Sequence, residues 1–185
     1  SNTFQSVKGV KIKNETISTY LDCFIEAYIL CKSYRYDIKG RSYIDTPLKY
    51  YFTDIGLRNV RLNFRQQEEN HIMENIIYNE LIARGFNVDV GVIEYNHVDA
   101  NGKKVRTQLE VDFVVNKIDK RYYIQSALTV AEEEKRKQEV NSLNRIDDSF
   151  TKIVVVKDNI LPWVDDNGVQ YIYIEDFLLG KINEL

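Results

Sequence analysis

Polar residues on two neighbouring predicted strands are candidates for a divalent metal site. Glu110 and Asp112 are two apart in "LEVDFVV", so their side chains share one face of a strand. Gln125 and Ala127, in "YYIQSAL", are also two residues apart and share one face of the next strand. If these strands pair across the charged turn "NKIDKR", Asp112 and Gln125 come within reach of a common ion. Glu74, on the preceding predicted helix, would supply a third oxygen to Mg²⁺ or Mn²⁺, which prefer oxygen ligands.

Metal-dependent hydrolysis of a phosphodiester also needs a positive group that stabilises the developing charge. The residue at the position expected for that lysine is Ala127, and Gln125 is a poorer Mg²⁺ ligand than a carboxylate. Nothing in the sequence positions Lys104, Lys117 or Lys120 to replace it. Because both the catalytic lysine and one carboxylate ligand are missing, the sequence favours a degenerate site without nuclease activity.

A structural role for the same residues is the alternative to metal binding. Asp112 would then be a partly buried carboxylate bonded to a neighbouring strand or helix. Glu74 would pair with a basic side chain or cap a strand end, and Glu110 would be an outer polar residue on an edge. Gln125 would be a hydrogen-bonding partner of Asp112 or Glu74, which explains a polar residue within an apolar strand.

The elements that must position these residues follow from hydrophobic periodicity. We predict a helix from Asn14 towards Lys32, a hairpin centred on residues 37–40, and a strand and turn over residues 46–59. A long helix then spans residues 64–84, with Ile72, Ile76, Tyr78 and Leu81 on its buried face. Three strands follow, then a charged helix that buries Val140, Leu143 and Ile146, and two further strands. This order predicts an α/β (α+β) fold with a mixed sheet flanked by helices.

Charge divides the chain into two predicted parts. Residues 1–59 hold nine Lys and Arg against six Asp and Glu, whereas residues 60–185 hold sixteen against twenty-two. The first part, a helix followed by a hairpin, has the shape of a partial winged-helix lobe. Its basic side chains are candidates for contact with a nucleic-acid backbone: Lys8, Lys11, Lys13, Arg35, Lys39 and Arg41.

Composition favours an ordinary cytoplasmic protein. The chain of 185 residues is 44% hydrophobic and 29% charged, with no apolar run of the roughly 20 residues that span a bilayer. No export signal is visible, and we expect no membrane partner. Cys23 and Cys31 lie in an apolar helical pattern, which predicts buried free thiols in a reducing compartment.

The order of a helix Glu, a strand Asp and an (Asp/Glu/Gln)-x-Lys position resembles the PD-(D/E)XK nuclease superfamily. More closely, "TISTYLDCFIEAYIL", "KYYFTDIGLRN", "MENIIYNELIARGFNVDVG", "LEVDFVV" and "YYIQSAL" resemble the C-terminal domain of unknown function of prokaryotic AAA-type ATPases. The resemblance extends from about Thr16 to Gly180. It implies a winged-helix segment at residues 1–59 and a restriction-endonuclease-like domain at residues 60–185.

In that family a P-loop ATPase core precedes this domain and binds ATP. The present chain has no G-x-x-x-x-G-K-[ST] motif, so ATP belongs only to such a core. Three hypotheses follow for this chain. It is a non-catalytic accessory domain for partner recognition or self-association, including a homo-oligomer; or a nucleic-acid-binding module; or a metal-dependent nuclease using Glu74, Asp112 and Gln125.

Overall fold

A computed structural model describes residue 9 and residues 12–65, 68–98 and 102–181, apart from the side chain of Thr46. Its strands are β1 Leu30–Asp37, β2 Ser42–Phe52, β3 Asn87–Val98, β4 Lys104–Lys117, β5 Lys120–Ala127, β6 Thr151–Val156, β7 Trp163–Val164 and β8 Val169–Tyr173. Its helices are α1 Asn14–Glu26, α2 Ile55–Arg61, α3 Glu69–Ala83, α4 Glu133–Val140, the 3₁₀ turn η1 Leu143–Arg145 and α5 Ile174–Leu178.

The eight strands form one sheet in the order β2-β1-β3-β4-β5-β6-β8-β7. β3, β4 and β5 are an antiparallel meander, whereas β5, β6 and β8 run parallel. Buried side chains on the two faces of the sheet form two hydrophobic clusters, to which the successive residues Tyr122 and Tyr123 of β5 respectively belong. Helices α3 and α5 pack on the face of the first cluster, and α4 and η1 on the face of the second. The predicted mixed sheet flanked by helices is therefore confirmed.

The N-terminal hairpin belongs to this sheet. β1 pairs with β2 and also runs parallel to β3, from Arg35 opposite Val90 to Asp37 opposite Val92. The hairpin predicted to be part of a separate winged-helix lobe at residues 1–59 is therefore the edge of the central sheet. Alternation identifies a hairpin, but it does not say which other strand the hairpin joins.

The N-terminal helix is shorter than predicted. α1 ends at Glu26, and the chain then enters β1, so that Cys31 lies in a strand. Cys23 is exposed and Cys31 is half-buried, which contradicts the prediction of two buried thiols. Burial still raises the pKa of Cys31. The segment after β2 forms a helix, α2, whose first turn is capped by the Asp54 carboxylate accepting from the Leu57 backbone N–H.

The central helix α3 begins at Glu69, five residues later than predicted. Its buried apolar residues are Met73, Ile77, Tyr78 and Leu81, so the inner face is rotated away from the predicted Ile72 and Ile76. The prediction placed the buried face wrongly because two polar residues, Glu74 and Asn75, are also buried. A search for hydrophobic periodicity assigns both of them to the solvent-facing side. By contrast, Val140, Leu143 and Ile146 are buried as predicted.

No helix among the described residues is both long and apolar enough to cross a lipid bilayer.

Gly91 allows β3 and β4 to approach closely. A Cβ atom at this position would lie 2.8 Å from Val111 Cβ and 2.9 Å from both Ile38 Cδ1 and Val114 Cγ2. These contacts are shorter than real Cβ contacts, so the surrounding side chains would have to move.

We predict that Gly91→Ala lowers the free energy of unfolding by about 1–3 kcal/mol, the usual cost of overpacking a core. Urea denaturation of the two proteins measures the difference. Gly56→Ala is the matched control, because Gly56 is exposed on α2, and we expect it to change stability by less than about 1 kcal/mol. Equal effects at the two positions would contradict the close approach described for Gly91.

Candidate functional site

A β-bulge in β4 sets the direction of the Asp112 side chain. The register of β3 and β4 shifts between Asp89 and Gly91, so that one residue of β3 lies opposite two residues of β4, Asp112 and Phe113. Phe113 packs in the first core cluster, and the Asp112 carboxylate reaches β5. Bulges commonly redirect a side chain in this way near functional sites.

Asp112 and Gln125 lie side by side, as the sequence predicts, and both make hydrogen bonds across β4 and β5. Asp112 Oδ2 accepts a hydrogen bond from the Ser126 backbone N–H at 2.8 Å and another from Ser126 Oγ at 2.7 Å. The Gln125 side-chain oxygen accepts from the Asp112 backbone N–H at 3.3 Å. The contacts are those of the structural alternative, in which these residues bond to each other across the two strands.

Lys49, on β2, lies at the centre of the site. Its Nζ atom is 2.6 Å from Glu74 Oε1 and 2.8 Å from Glu110 Oε1. Arg35 on β1 contacts the other oxygen of Glu110 at 2.7 Å, and the Tyr51 hydroxyl donates to Glu74 Oε1 at 2.7 Å. The N-terminal hairpin therefore supplies two cations to carboxylates of α3 and β4.

The charges of this cluster shift each other's pKa values. Burial alone would lower the pKa of Lys49, but Glu74 and Glu110 outweigh it and hold that pKa above the ordinary value. Burial likewise opposes ionisation of Glu110, yet Lys49 and Arg35 bring its pKa below the usual range. Asp112 differs: burial and the negative charge of Glu74 raise its pKa to about 7, against the opposing effects of Ser126 and Lys49.

A cleft of about 540 Å³ opens beside these residues. Besides the acidic residues and Lys49, it is lined by Asn70, His71, Ser126, Lys135 and Glu139. No group of three or more His, Cys, Asp or Glu side chains within the described ranges is arranged to hold a metal ion. Because an ammonium already lies between the two glutamates, the donor set fits this internal cation better than Mg²⁺, which requires about six oxygen ligands.

The three lysines considered as replacements for the missing lysine do not line the cleft. Lys117 Nζ donates to the Arg84 backbone oxygen, and Lys120 lines a different pocket. Lys104 begins β4 and is not among the residues that line the cleft. Ala127 is buried in the second core cluster.

Sequence reasoning missed Lys49 and the role of Arg35. Lys49 is two residues from Tyr51, which places both on one face of a strand, and this is a usable signal once the strand is known. Its partner Glu110 is 61 residues away. No local pattern indicates such a pairing.

Of the predicted nucleic-acid-binding residues that the structure describes, Lys39 and Arg41 line one pocket, and Lys13 and Arg35 are not part of it. Lys8 and Lys11 lie outside the described residues, and Lys13 is exposed immediately before α1. Arg35 is committed to Glu110 in the cleft. Lys39 and Arg41 line a separate pocket with Lys120.

Comparison with known proteins gives one informative match. The chain is 32% identical over 179 residues to an uncharacterized protein of Haemophilus influenzae, an alignment that covers 97% of this chain and 40% of that protein. The chain thus spans about 40% of the length of the curated relative it matches. No protein family and no solved structure matches the chain.

We predict that Asp112 makes the native state less stable as the pH rises from about 4.5 to about 7.5. Its folded pKa of about 7 exceeds the ordinary value of 3.8, so the native protein retains a proton that the unfolded chain releases. In Asp112→Asn this linkage is lost, and the stability of the variant relative to the wild type should increase with pH, by at most about 1.4 kcal/mol per pH unit.

Urea denaturation at several pH values tests this linkage. Asp158→Asn, at an exposed position, is the control and should follow the wild-type pH dependence. Parallel curves for wild type and Asp112→Asn would show that Asp112 has no raised pKa.

Proposed function

We propose that this chain is a non-catalytic accessory domain of an AAA-type ATP-binding protein, and that it serves partner recognition. The observation that carries the loss of catalysis is the position of Lys49, whose ammonium contacts both Glu74 and Glu110. In the nuclease hypothesis Glu74 is a metal ligand together with Asp112 and Gln125. Here Lys49 of the same polypeptide provides the positive partner of Glu74 and Glu110.

Charge balance makes displacement of this lysine costly. Lys49 and Arg35 offset Glu74 and Glu110, and Asp112 is held by two hydrogen bonds from Ser126. A divalent ion entering the cleft would have to separate partly buried ion pairs, and such a separation leaves uncompensated charge. This cluster therefore acts in the proposal as a structural ion network.

The length comparison supports a place in a longer protein. An alignment that uses almost all of this chain uses only 40% of the Haemophilus influenzae protein. The sequence resemblance assigns the remainder to a P-loop ATPase core, with ATP bound there and not in this chain. The cytoplasmic location belongs to the same proposal.

An apolar surface fits the recognition role. α1 buries none of its residues, although it carries Tyr20, which is 60% exposed, and Phe24, which is 46% exposed. Tyr28 after α1 and Leu57 on α2 are also exposed, and the Thr53 hydroxyl donates to the Tyr28 backbone oxygen, which joins the two segments. Exposed apolar surface of this kind is typical of interaction sites. The occupant in this proposal is the ATPase core.

We predict that the wild type binds no Mn²⁺ in the cleft and cleaves neither DNA nor RNA. Lys49→Met preserves much of the side-chain volume but removes the ammonium, and should create a Mn²⁺ site at Glu74 and Glu110. Calorimetric titration should then show binding, and Mn²⁺ should raise the melting temperature of the variant.

Adding Glu74→Gln to Lys49→Met is the control, since it removes one ligand and should abolish the gained binding. Wild-type Mn²⁺ binding that disappears in Asp112→Ala, together with cleavage, would favour the nuclease alternative with Glu74, Asp112 and Gln125. Circular dichroism verifies that each variant is folded.

We predict that Tyr20→Gln combined with Phe24→Gln weakens binding to a separately expressed ATPase core by at least about tenfold, as loss of two aromatic contacts does in other interfaces. Leu161→Gln with Val164→Gln removes two other exposed apolar side chains and is the matched control. Titration calorimetry measures both pairs.

Equal loss in the two pairs would contradict recognition by α1. Sedimentation velocity of the chain alone tests a further outcome. If the chain forms dimers and the α1 substitutions disrupt them, the partner at this surface is a second copy of the chain and not the ATPase core.

A further inference from the structure

A second pocket, of about 700 Å³, lies between the tip of the β1–β2 hairpin, the β4–β5 turn and the segment after η1. Ile38 and Ile146 line it and belong to the second core cluster. The acidic cleft is lined by other residues, and the two share none. The pocket is therefore separate from the acidic cleft.

Arg121 forms a flat, positively charged wall of this pocket. Its Nε atom donates to Asn116 Oδ1 at 2.7 Å, which fixes the plane of the guanidinium. The guanidinium carbon is 5.3 Å from the centre of the Tyr36 ring and 5.4 Å from that of Phe150. A guanidinium held beside aromatic rings, one of which belongs to the exposed Phe150, extends a surface on which a nucleobase stacks.

Basic side chains surround this wall. Lys39, Arg41 and Lys120 are exposed and line the pocket with Arg121. Three acidic residues also line it, and two of them are engaged. The Asp148 carboxylate accepts from the Tyr123 hydroxyl at 2.6 Å and from the Phe150 backbone N–H at 3.2 Å. The Asp147 carboxylate is 3.9 Å from Lys39 Nζ. The third acidic residue is Asp119. The lining is net positive, whereas the chain carries a formal charge of −3.

The β4–β5 turn adds an apolar contact. Ile118 lies at this turn with φ 56°, a conformation that β-branched residues rarely adopt, and its side chain is 100% exposed. Strained backbone of this type is concentrated at functional sites. An exposed isoleucine at the rim of a basic, aromatic pocket can pack against a planar ring.

We propose that this pocket binds a nucleotide unit, with its phosphate at Lys39, Arg41 and Lys120 and its base on Arg121 and Phe150. Lysine and arginine contacts to phosphate provide sequence-independent affinity, and aromatic stacking accepts any base. The volume is within the range of about 300–1,000 Å³ that ligand pockets occupy. The nucleotide is either free or part of a single strand. This site is independent of the acidic cleft and of the proposed accessory role.

Fluorescence anisotropy with end-labelled oligo(dT) and oligo(U) of about ten nucleotides tests the proposal. The triple variant Lys39→Gln, Arg41→Gln, Lys120→Gln should bind at least about tenfold more weakly. It should also reduce the slope of log affinity against log salt by about 0.7, because one neutralised phosphate of a single strand is lost. Asp119→Asn removes a negative charge from the rim and should tighten binding.

Stacking is tested separately with Phe150→Leu, which keeps an apolar side chain but removes the ring. We expect about fivefold weaker binding with an unchanged salt slope, since no charge is altered. This combination distinguishes a stacked base from a purely electrostatic contact.

The control triple variant is Lys137→Gln, Lys157→Gln, Lys181→Gln, which loses the same charge at exposed positions outside the pocket. It should bind less than about twofold more weakly, because charges far from the ligand are screened. Unlabelled AMP separates the two sources of the nucleotide: displacement of the oligonucleotide indicates that a free nucleotide enters, and its failure indicates that a strand is required. Equal weakening by the two triple variants, or binding of neither oligonucleotide nor AMP, would overturn the proposal.

Discussion

Ion pairs of Lys49 join three segments that are distant in the sequence: β2, α3 and β4. Without the hairpin, Glu74 and Glu110 would remain partly buried beside each other with no cation between them, an arrangement that costs several kcal/mol in proteins. The same strand brings Tyr51 against Tyr78, with ring centres 3.9 Å apart. The hairpin is therefore held by both charge compensation and aromatic packing, and the core is incomplete without it.

A set of buried polar contacts fixes where the hairpin attaches. The Asn75 side chain accepts from the Phe52 backbone N–H at 2.8 Å and donates to the Phe52 carbonyl at 2.7 Å. It thus makes the same pair of backbone hydrogen bonds that a residue of a neighbouring strand would make. Asn79 donates to the same carbonyl, and Ser33 Oγ donates to the Val88 carbonyl at 3.0 Å. Since each bond is lost if the hairpin slides, these contacts specify one position where hydrophobic packing alone would accept several.

The sequence allowed the strands and the general location of the acidic site to be predicted. Alternation and the turn at residues 116–121 are local signals, and they were enough to bring Asp112 and Gln125 together. The bulge that turns Asp112 towards Ser126 was not predictable, because one extra residue in a strand leaves no trace in a pattern of period two. The link from Glu74 to Lys49 was missed for a different reason: it depends on which strand the hairpin joins, and that is decided by the whole sheet.

The hairpin also explains why one short strand influences two separate sites. Successive residues of a strand point to opposite faces, so Arg35 contacts Glu110 in the acidic cleft while Tyr36 contacts Arg121 in the second pocket. A substitution that detaches β1 from β3 disturbs both sites at once. Replacement of a single side chain at the rim of one pocket changes only that face. Loss of function at both sites together therefore indicates a damaged hairpin, and loss at one site indicates the chemistry of that site.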